Sequence, residues 1–412
     1  MMRIVIVGAG IVGLNAAHAL LDKGHQVTLV DPGTDHQRPT DGNAGWIAHT
    51  DIMPLASPKA WRNLPRWLMD PLGPLTIRPS YLPALAPWLA RFVLASSPAR
   101  IKSSISAIRA INEQSLPAWK ERLSALGLEG HLREKGILSV WRDRNHFLRA
   151  EDIMARQRNF GIAMEVLDPR GIAEIEPALR NVEAGLLYPD GCHVSDPANL
   201  ASDLLRLAVE RGAVHVAGRA LAVQPQDDAV HIHTDGAVKS VVADRVLISA
   251  GIWSRALAKQ LGDNIPLDTE RGYNATYAKG AFGLNRPIMF EGEGFVASTL
   301  DTGDRVGGAV EFAGTQAPPN HERTAAMITR LKRFLPHLDE SQPAKRWMGF
   351  RPSIPDSLPV IGQATCDKRV IYAFGHGHYG LTQAAITARL VSELIEGTPT
   401  LLDMKPFSAQ RF

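Results

Sequence analysis

Three glycines, Gly8, Gly10 and Gly13, follow the apolar run Ile4-Val5-Ile6-Val7, and an acid, Asp31, closes the next run, Gln26-Val27-Thr28-Leu29-Val30. A buried strand, a tight glycine turn, a helix and a second strand ending in a carboxylate form the βαβ unit that binds a dinucleotide. Each residue type has a physical task. Gly8 permits the sharp turn out of the strand. Gly10 lets a pyrophosphate approach the backbone, and Gly13 lets the helix pack close to the sheet. Ile11 and Val12 open that helix, whose N-terminus offers N–H groups and a positive dipole end to phosphates. Asp31 can accept hydrogen bonds from a ribose diol and would repel a 2′-phosphate. Glycines alone could belong to some other α/β turn. The strand, the helix and the acid at the right distance argue against that. These residues leave open whether the dinucleotide is NAD or FAD.

Other residues that could do chemistry lie far downstream. Val246-Leu247-Ile248-Ser249-Ala250-Gly251 is an apolar strand entering a small-residue turn at Ala250 and Gly251, which lets backbone approach a ligand. Gly375-His376-Gly377-His378-Tyr379-Gly380 leads directly into the last helix. A cofactor touched by the N-terminus, the middle and the last helix is long and embedded, which suits FAD better than a diffusing nicotinamide. The last helix could stabilise negative charge on a reduced flavin ring through its N-terminal amides. Arg351, between two apolar runs, is either a functional cation or a surface or salt-bridge arginine. His49, just after the Gly45 segment, either lines the pocket or is a packed histidine. His376 reads as shaping its loop rather than exchanging protons. Arg271 is a second pocket cation or the member of a strand-end ion pair.

Elements must position these groups. The 412 residues suffice for two or three domains, and 45% hydrophobic with 21% charged residues is a globular composition. Residues 101–127 have helical periodicity, 137–141 read as a strand, and helices are expected at about 149–160 and 169–177. Asp196-Pro197 caps and starts a helix that stops at Gly212. Strands follow at 214–216, 230–233 and 244–251. Short alternating strands between 272 and 312 read as an antiparallel meander, hence a second domain. The expected fold class is α/β: a Rossmann-type dinucleotide domain with a second α+β substrate domain built on an antiparallel sheet. The expected division is 1–60, 190–265 and 345–412 for the cofactor domain, with 61–189 and 266–344 for the substrate domain.

The formal charge of +3 is too small to argue for nucleic acid, and two cysteines without metal-ligand spacing read as reduced cytosolic thiols with no metal site. No run approaches the length of a transmembrane helix. Residues 74–94, rich in Trp, Leu and Arg and broken by prolines, read either as a membrane-interface segment or as a core helix with a proline-rich entrance.

The chain resembles the FAD-dependent amine and amino-acid oxidoreductases of the D-amino acid oxidase type, and within them bacterial D-amino acid dehydrogenases. The resemblance spans nearly the whole chain. It rests on Gly8-Ala9-Gly10-Ile11-Val12-Gly13, Gly42-Asn43-Ala44-Gly45, Pro54-Leu55-Ala56-Ser57-Pro58, Leu75-Thr76-Ile77-Arg78-Pro79, the 246–251 strand, Arg271-Gly272-Tyr273, Gly349-Phe350-Arg351-Pro352 with Asp356 and Pro359-Val360-Ile361-Gly362, and Gly375-His376-Gly377. It implies that Gly8, Gly10, Gly13 and Asp31 bind the ADP half of FAD. Asn43, Ala44 and Gly45 would lie along the pyrophosphate and flavin, and Gly375, Gly377, Gly380, Leu381 and Thr382 would face the isoalloxazine. Arg351 would bind the substrate carboxylate and Tyr273 would sit in the substrate pocket. Where many members carry Glu and a basic residue, this chain has Asp31-Pro32, a shorter arm for the ribose.

The chemistry so implied is oxidation of a D-amino acid, D-proline and hydroxy-D-proline among the candidates, by hydride transfer from Cα to flavin N5. The imine then hydrolyses, or stays cyclic for a proline. Electrons would pass to a quinone or respiratory acceptor, with the protein cytoplasmic or peripheral on the inner face of a membrane. Two other readings stay open: an oxygen-using oxidase of glycine, sarcosine or a related amine, and a flavin subunit of a larger electron-transfer complex.

Overall fold

A computed structural model describes residues 1–33, 38–56, 69–70, 72–340 and 345–412. Ser57 and Pro58 of the resemblance motifs, and most of the stretch between 57 and 71, lie outside the described residues.

The apolar runs flanking the glycine turn become the centre of a six-stranded sheet. Its order is Val214–Ala217, Gln26–Asp31, Arg3–Val7, Arg245–Ile248, Val370–Phe374 and Val360–Gln363. All pairings are parallel except that of the last strand. Near-continuous apolar sequence is what such strands need, because both faces are covered. The helices Ile11–Asp22, Pro197–Glu210 and Gly380–Glu396 contribute to the core on one side. The helix Ser254–Gln260 and a three-stranded antiparallel sheet contribute to the core on the other. The first strand pairs with Gln26–Asp31 on one edge and Arg245–Ile248 on the other, so the chain's direction of travel across the sheet reverses there. A crevice opens at the carboxyl ends of the strands beside such a point, and that is where Gly8 and Ala250 stand.

A nine-stranded sheet forms the second layer system. Its path runs Lys345–Ser353, Asp268–Thr276, Gly303–Phe312, Phe295–Leu300, Ile288–Phe290, Ile137–Trp141, Ala184–Tyr188 and Glu165–Leu167, with Leu75–Ile77 paired to Gly303–Phe312. The expected meander is present and antiparallel. Two parallel joins, of Ile137–Trp141 to Ile288–Phe290 and of Leu75–Ile77 to Gly303–Phe312, bring earlier segments into the same sheet. Lys345–Ser353, assigned from sequence to the cofactor domain, pairs along its whole length with Asp268–Thr276 and so lies in this second sheet.

Two local differences have physical reasons. The periodic stretch 101–127 is two helices, Pro98–Glu113 and Ser115–Leu126. Pro117 has no N–H for the Glu113 carbonyl and its ring opposes that carbonyl, so the first helix ends there. The helix expected at about 149–160 is Glu151–Asn159, with a separate short helix, Arg144–Leu148, before it. Strands Ala220–Pro225 and Ser240–Ala243 were not legible because each buries a single side chain, Val223 and Ala243, and leaves the others exposed or half-buried, so no alternating apolar face marks them. The Asp196 cap behaves as its sequence suggests, accepting from the amides of Ala198 (2.8 Å) and Asn199 (3.0 Å).

Residues 74–94 include a helix with one buried and one exposed face. Leu85, Trp88, Phe92 and Ala95 of the helix Leu82–Ala95 are buried against Ile77 and Phe312. Pro83, Ala84, Ala86, Pro87, Ala90, Val93 and Leu94 are exposed, with Arg91 the one charge among them.

Candidate active site

The crevice at the end of the parallel sheet continues to the second sheet as one cavity of about 550 Å³. Gly8, Gly10, Ile11, Val12, Asp31, Asn43, Ala44, Ala250 and Gly251 line it, as do Gly375, His376, Gly377, Gly380, Leu381, Tyr273 and Arg351. Segments more than 300 residues apart in sequence thus face one space. Gly13, Gly45, Thr382 and His49 do not line it. Gly13 sits where the helix meets the sheet, and a Cβ there would overlap the Gly8 carbonyl oxygen and lie 2.8 Å from the Ser249 hydroxyl. Thr382 stands behind the wall, its hydroxyl accepting from the Ala48 amide at 2.9 Å.

His49 is a correction of register. In the extended Trp46–Ile47 segment and the residues after it, Trp46 and Ala48 face the cavity. Period-two alternation sends His49 the other way. It lines a separate cleft with Glu113, Lys120, Glu134, Asp190 and Cys192, and its Nδ1 lies 3.2 Å from the Ile47 carbonyl oxygen.

At the dinucleotide end Asp31 is already engaged. Its Oδ2 accepts from the Ala9 amide at 2.8 Å and its Oδ1 from the Gly33 amide at 2.9 Å. Each oxygen keeps a second lone pair, so the carboxylate both holds the glycine turn and can accept from a diol. Arg38, which the sequence reading passed over, donates to the Ala9 carbonyl at 2.8 Å and lines the cavity. It places a cation beside the glycine loop. The loop at 42–45 is held by the buried Arg305, which donates to the carbonyls of Asp41 (3.1 Å) and Asn43 (2.6 Å), and by Asn274, which donates to the Gly42 carbonyl at 2.8 Å. Asn43 spends its side-chain oxygen on the Gly45 amide at 2.8 Å.

The other end is organised by strand alternation. Glu270 lies opposite Arg351 in the ladder and Gly272 opposite Gly349, so Glu270, Gly272 and Arg351 share one face. Arg271 and Tyr273 share the other. Arg271 is fully buried and donates to the carbonyls of Gly314 (2.7 Å) and Ala317 (2.7 Å), which makes it a brace for that loop rather than a pocket cation. The Tyr273 hydroxyl donates to Glu311 at 2.5 Å and accepts from the Asn320 amide at 3.1 Å. Tyr273 therefore forms part of the wall while its hydroxyl is committed on the Arg271 side.

Arg351 behaves differently. Its Nη1 is out of reach of solvent and has no hydrogen-bond partner among the described residues. Burial pushes the guanidinium pKa down, opposed by nearby Glu270. Glu270 is itself buried. Burial pushes its carboxyl up, but the charge and 2.7 Å contact of His378, the Ser353 hydroxyl and Arg351 together leave it below the usual range. Sequence reasoning missed Glu270, because a carboxylate on a strand carries no motif; only its register partner gives it away. His376, with Nε2 3.1 Å from the Thr387 hydroxyl, is driven by burial to a pKa of about 3 and stays neutral in the working range. It lines the cavity without being a proton carrier.

A Cβ on Gly272 would overlap the Arg351 guanidinium. Gly272→Ala is therefore expected to displace Arg351 and raise the KM of a carboxylate substrate about 10- to 100-fold, with flavin content retained. Steady-state kinetics alongside the flavin-to-protein absorbance ratio checks both halves. A KM within threefold of the parent would remove Arg351 from that role.

The residues present fit FAD. Gly10 leaves the helix N-terminus uncovered toward the cavity, its nearest neighbour to a built Cβ being the Thr40 hydroxyl at 4.0 Å. The last helix directs a second N-terminus into the same space. A parallel sheet with this glycine turn, joined through one cavity to a second sheet that carries a buried guanidinium, defines a flavin-dependent oxidoreductase. The chain belongs to the FAD dependent oxidoreductase family, whose profile matches residues 3–394. It is 34% identical to a D-amino-acid oxidase of Bradyrhizobium diazoefficiens, over 100% of this chain and 99% of that one. It is 30% identical to a D-amino acid dehydrogenase of Dechloromonas aromatica, over 96% and 97%. Its fold is similar to that of an L-proline dehydrogenase from P. horikoshii, with a TM-score of 0.76, 18% identity and coverage of 100% and 97%.

Proposed function

We propose that this enzyme dehydrogenates D-amino acids at Cα–N, giving an imino acid that hydrolyses to a 2-oxo acid and ammonia, and passes the electrons to a quinone or another respiratory acceptor. The observation that carries the reading is Arg351: a buried guanidinium with an unsatisfied Nη1, in the cavity of an FAD-dependent oxidoreductase. A carboxylate is the group that would satisfy it in a fixed plane. Preference for the D-isomer is supported by the names of the two relatives.

When bound, FAD supplies the two-electron acceptor. The chain's own residues do the rest. Arg351 orients the carboxylate, and Glu270 with His378 keeps its charge compensated. Trp46, Trp347, Met289, Val296 and Phe374 give the cavity apolar walls, which favour the neutral amine over the ammonium. Such positioning accounts for most of the rate in a reaction of this kind.

The test is anaerobic mixing of the yellow protein with paired D- and L-amino acids, proline and hydroxyproline isomers included, while following visible flavin absorbance. Bleaching by D-isomers is the expected result. A protein that dithionite reduces but no amino acid bleaches would overturn the reading.

The outer face of the helix Leu82–Ala95 supports a membrane-borne acceptor at the cytoplasmic face. Val93 and Leu94 are 49% and 59% exposed amid alanines and prolines, and no helix among the described residues is long and apolar enough to cross a membrane. Val93→Glu with Leu94→Glu is expected to lower the share of protein sedimenting with liposomes at least severalfold. Equal partitioning of parent and variant would rule out this surface. The oxidase relative supports a second reading, oxygen as acceptor, which peroxide formed at the rate of substrate loss would select.

A further inference from the structure

Asp51 faces the same cavity and the mechanism above does not use it. Its loop is held entirely by the main chain. Asn112 donates to the Asp51 carbonyl at 2.8 Å, Gln157 to the Thr50 carbonyl at 3.1 Å and the Tyr379 hydroxyl to the Met53 carbonyl at 3.3 Å. Three side chains from three different elements thus fix the backbone and leave the carboxylate uncommitted. The carboxylate has no hydrogen-bond or ion-pair partner among the described residues, and the group that acts on it electrostatically is another acid, Glu291. Glu291 follows the strand Ile288–Phe290, whose Met289 lines the cavity, so Asp51 stands toward the second sheet, which also carries Arg351. Among the described residues, the charged or titratable groups coupled to Asp51 are Glu291, Tyr188 and Tyr379, none of them a cation.

Resting on the reading of this enzyme as a D-amino acid oxidoreductase, we infer that Asp51, backed by Glu291, selects the substrate side chain and accepts an amine or guanidinium there. A carboxylate that no cation among the described residues compensates, on a loop held by three side chains, is completed by a cation that the ligand brings. Arg351 at the carboxylate end and Asp51 at the side-chain end would recognise opposite charges, so basic D-amino acids are favoured over neutral ones of equal length.

Burial and Glu291 raise the Asp51 pKa to about 7, well above that of an unfolded aspartate. The folded protein therefore holds a proton that the unfolded chain has lost between about pH 4 and pH 7. Stability from this group is full below the unfolded value and falls as pH rises through that window.

The experiment compares parent enzyme and Asp51→Asn on D-lysine and D-norleucine, which are similar in length and differ at the terminal amine, by anaerobic flavin reduction. The parent is expected to favour D-lysine, and the variant to lower the D-lysine to D-norleucine ratio of kcat/KM by about 30-fold or more. A second readout is the melting temperature of the holoenzyme. Asparagine mimics the protonated acid, so the variant should match the parent near pH 4 and melt roughly 2–4 °C higher at pH 8. A ratio within threefold of the parent's, or equal losses on both substrates, would overturn the inference, since equal losses place Asp51 at the shared amino-acid head. A melting difference independent of pH would do so too. If neither substrate reduces the parent flavin while dithionite does, the parent reading itself fails, and the inference falls with it.

Discussion

Arg351→Lys is expected to lower kcat/KM for amino acids by about 10²- to 10³-fold, mostly through KM. Lysine keeps the positive charge beside Glu270, so the fold is not left with an uncompensated buried carboxylate. What it loses is the planar fork that fixes the carboxylate by two bonds and with it the direction of Cα–H. A misplacement of about 1 Å at the reacting centre costs on the order of 100-fold, and the lost charge-assisted bond adds to that. Arg351→Ala should do more harm of another sort. Glu270 and His378 remain, and breaking one partner out of a buried charged set destabilises by about 3–5 kcal/mol. Adding Glu270→Gln to Arg351→Ala should recover much of that stability and none of the affinity. Stopped-flow flavin reduction and thermal melts separate the two effects. If Arg351→Lys kept KM within threefold, the guanidinium would be structural and the carboxylate would bind elsewhere.

Gly10→Ala and Gly13→Ala should both bleach the purified protein, for opposite reasons. Gly10 has φ −74° and ψ 179°, a conformation alanine adopts freely, and the nearest atom to an added Cβ is 4.0 Å away. Without FAD, the variant should melt within about 1 °C of the parent, because nothing in the fold is touched. Its FAD affinity should nevertheless fall by about 100-fold, a methyl group now standing where the pyrophosphate approaches the backbone. Gly13→Ala places its Cβ into the Gly8 carbonyl and forces the helix off the strand. The fold itself should lose on the order of 1–3 kcal/mol, the usual penalty of overpacking, before FAD is added. Melting curves with and without added FAD, beside flavin titrations, tell these cases apart. A Gly10→Ala protein that retains its flavin would mean that the pyrophosphate lies elsewhere.

Much of the molecule was legible because its chemistry is local. Strand, turn, helix and acid in residues 4–31 are contiguous, and each glycine answers a need set by its own neighbours. The Asp196 cap and the helix at 380–396 follow from adjacent residues too. Arg351 was readable as a carboxylate clamp through the family motif Gly349-Phe350-Arg351-Pro352. His49 could not be placed, because in extended chain a single residue of register exchanges cavity for core, and that register is set by distant strands. Glu270 and Asp51 carry no motif at all. Glu270 matters because a ladder sets it opposite Arg351, and the inference on Asp51 rests on three remote side chains that hold its backbone while no cation among the described residues answers its charge. Residue types and short spacings therefore determined a dinucleotide cofactor, and the family resemblance carried by the motifs implied the kind of reaction. Which groups face the substrate was decided by tertiary structure, because side-chain direction and burial arise from strand pairing and packing between segments hundreds of residues apart.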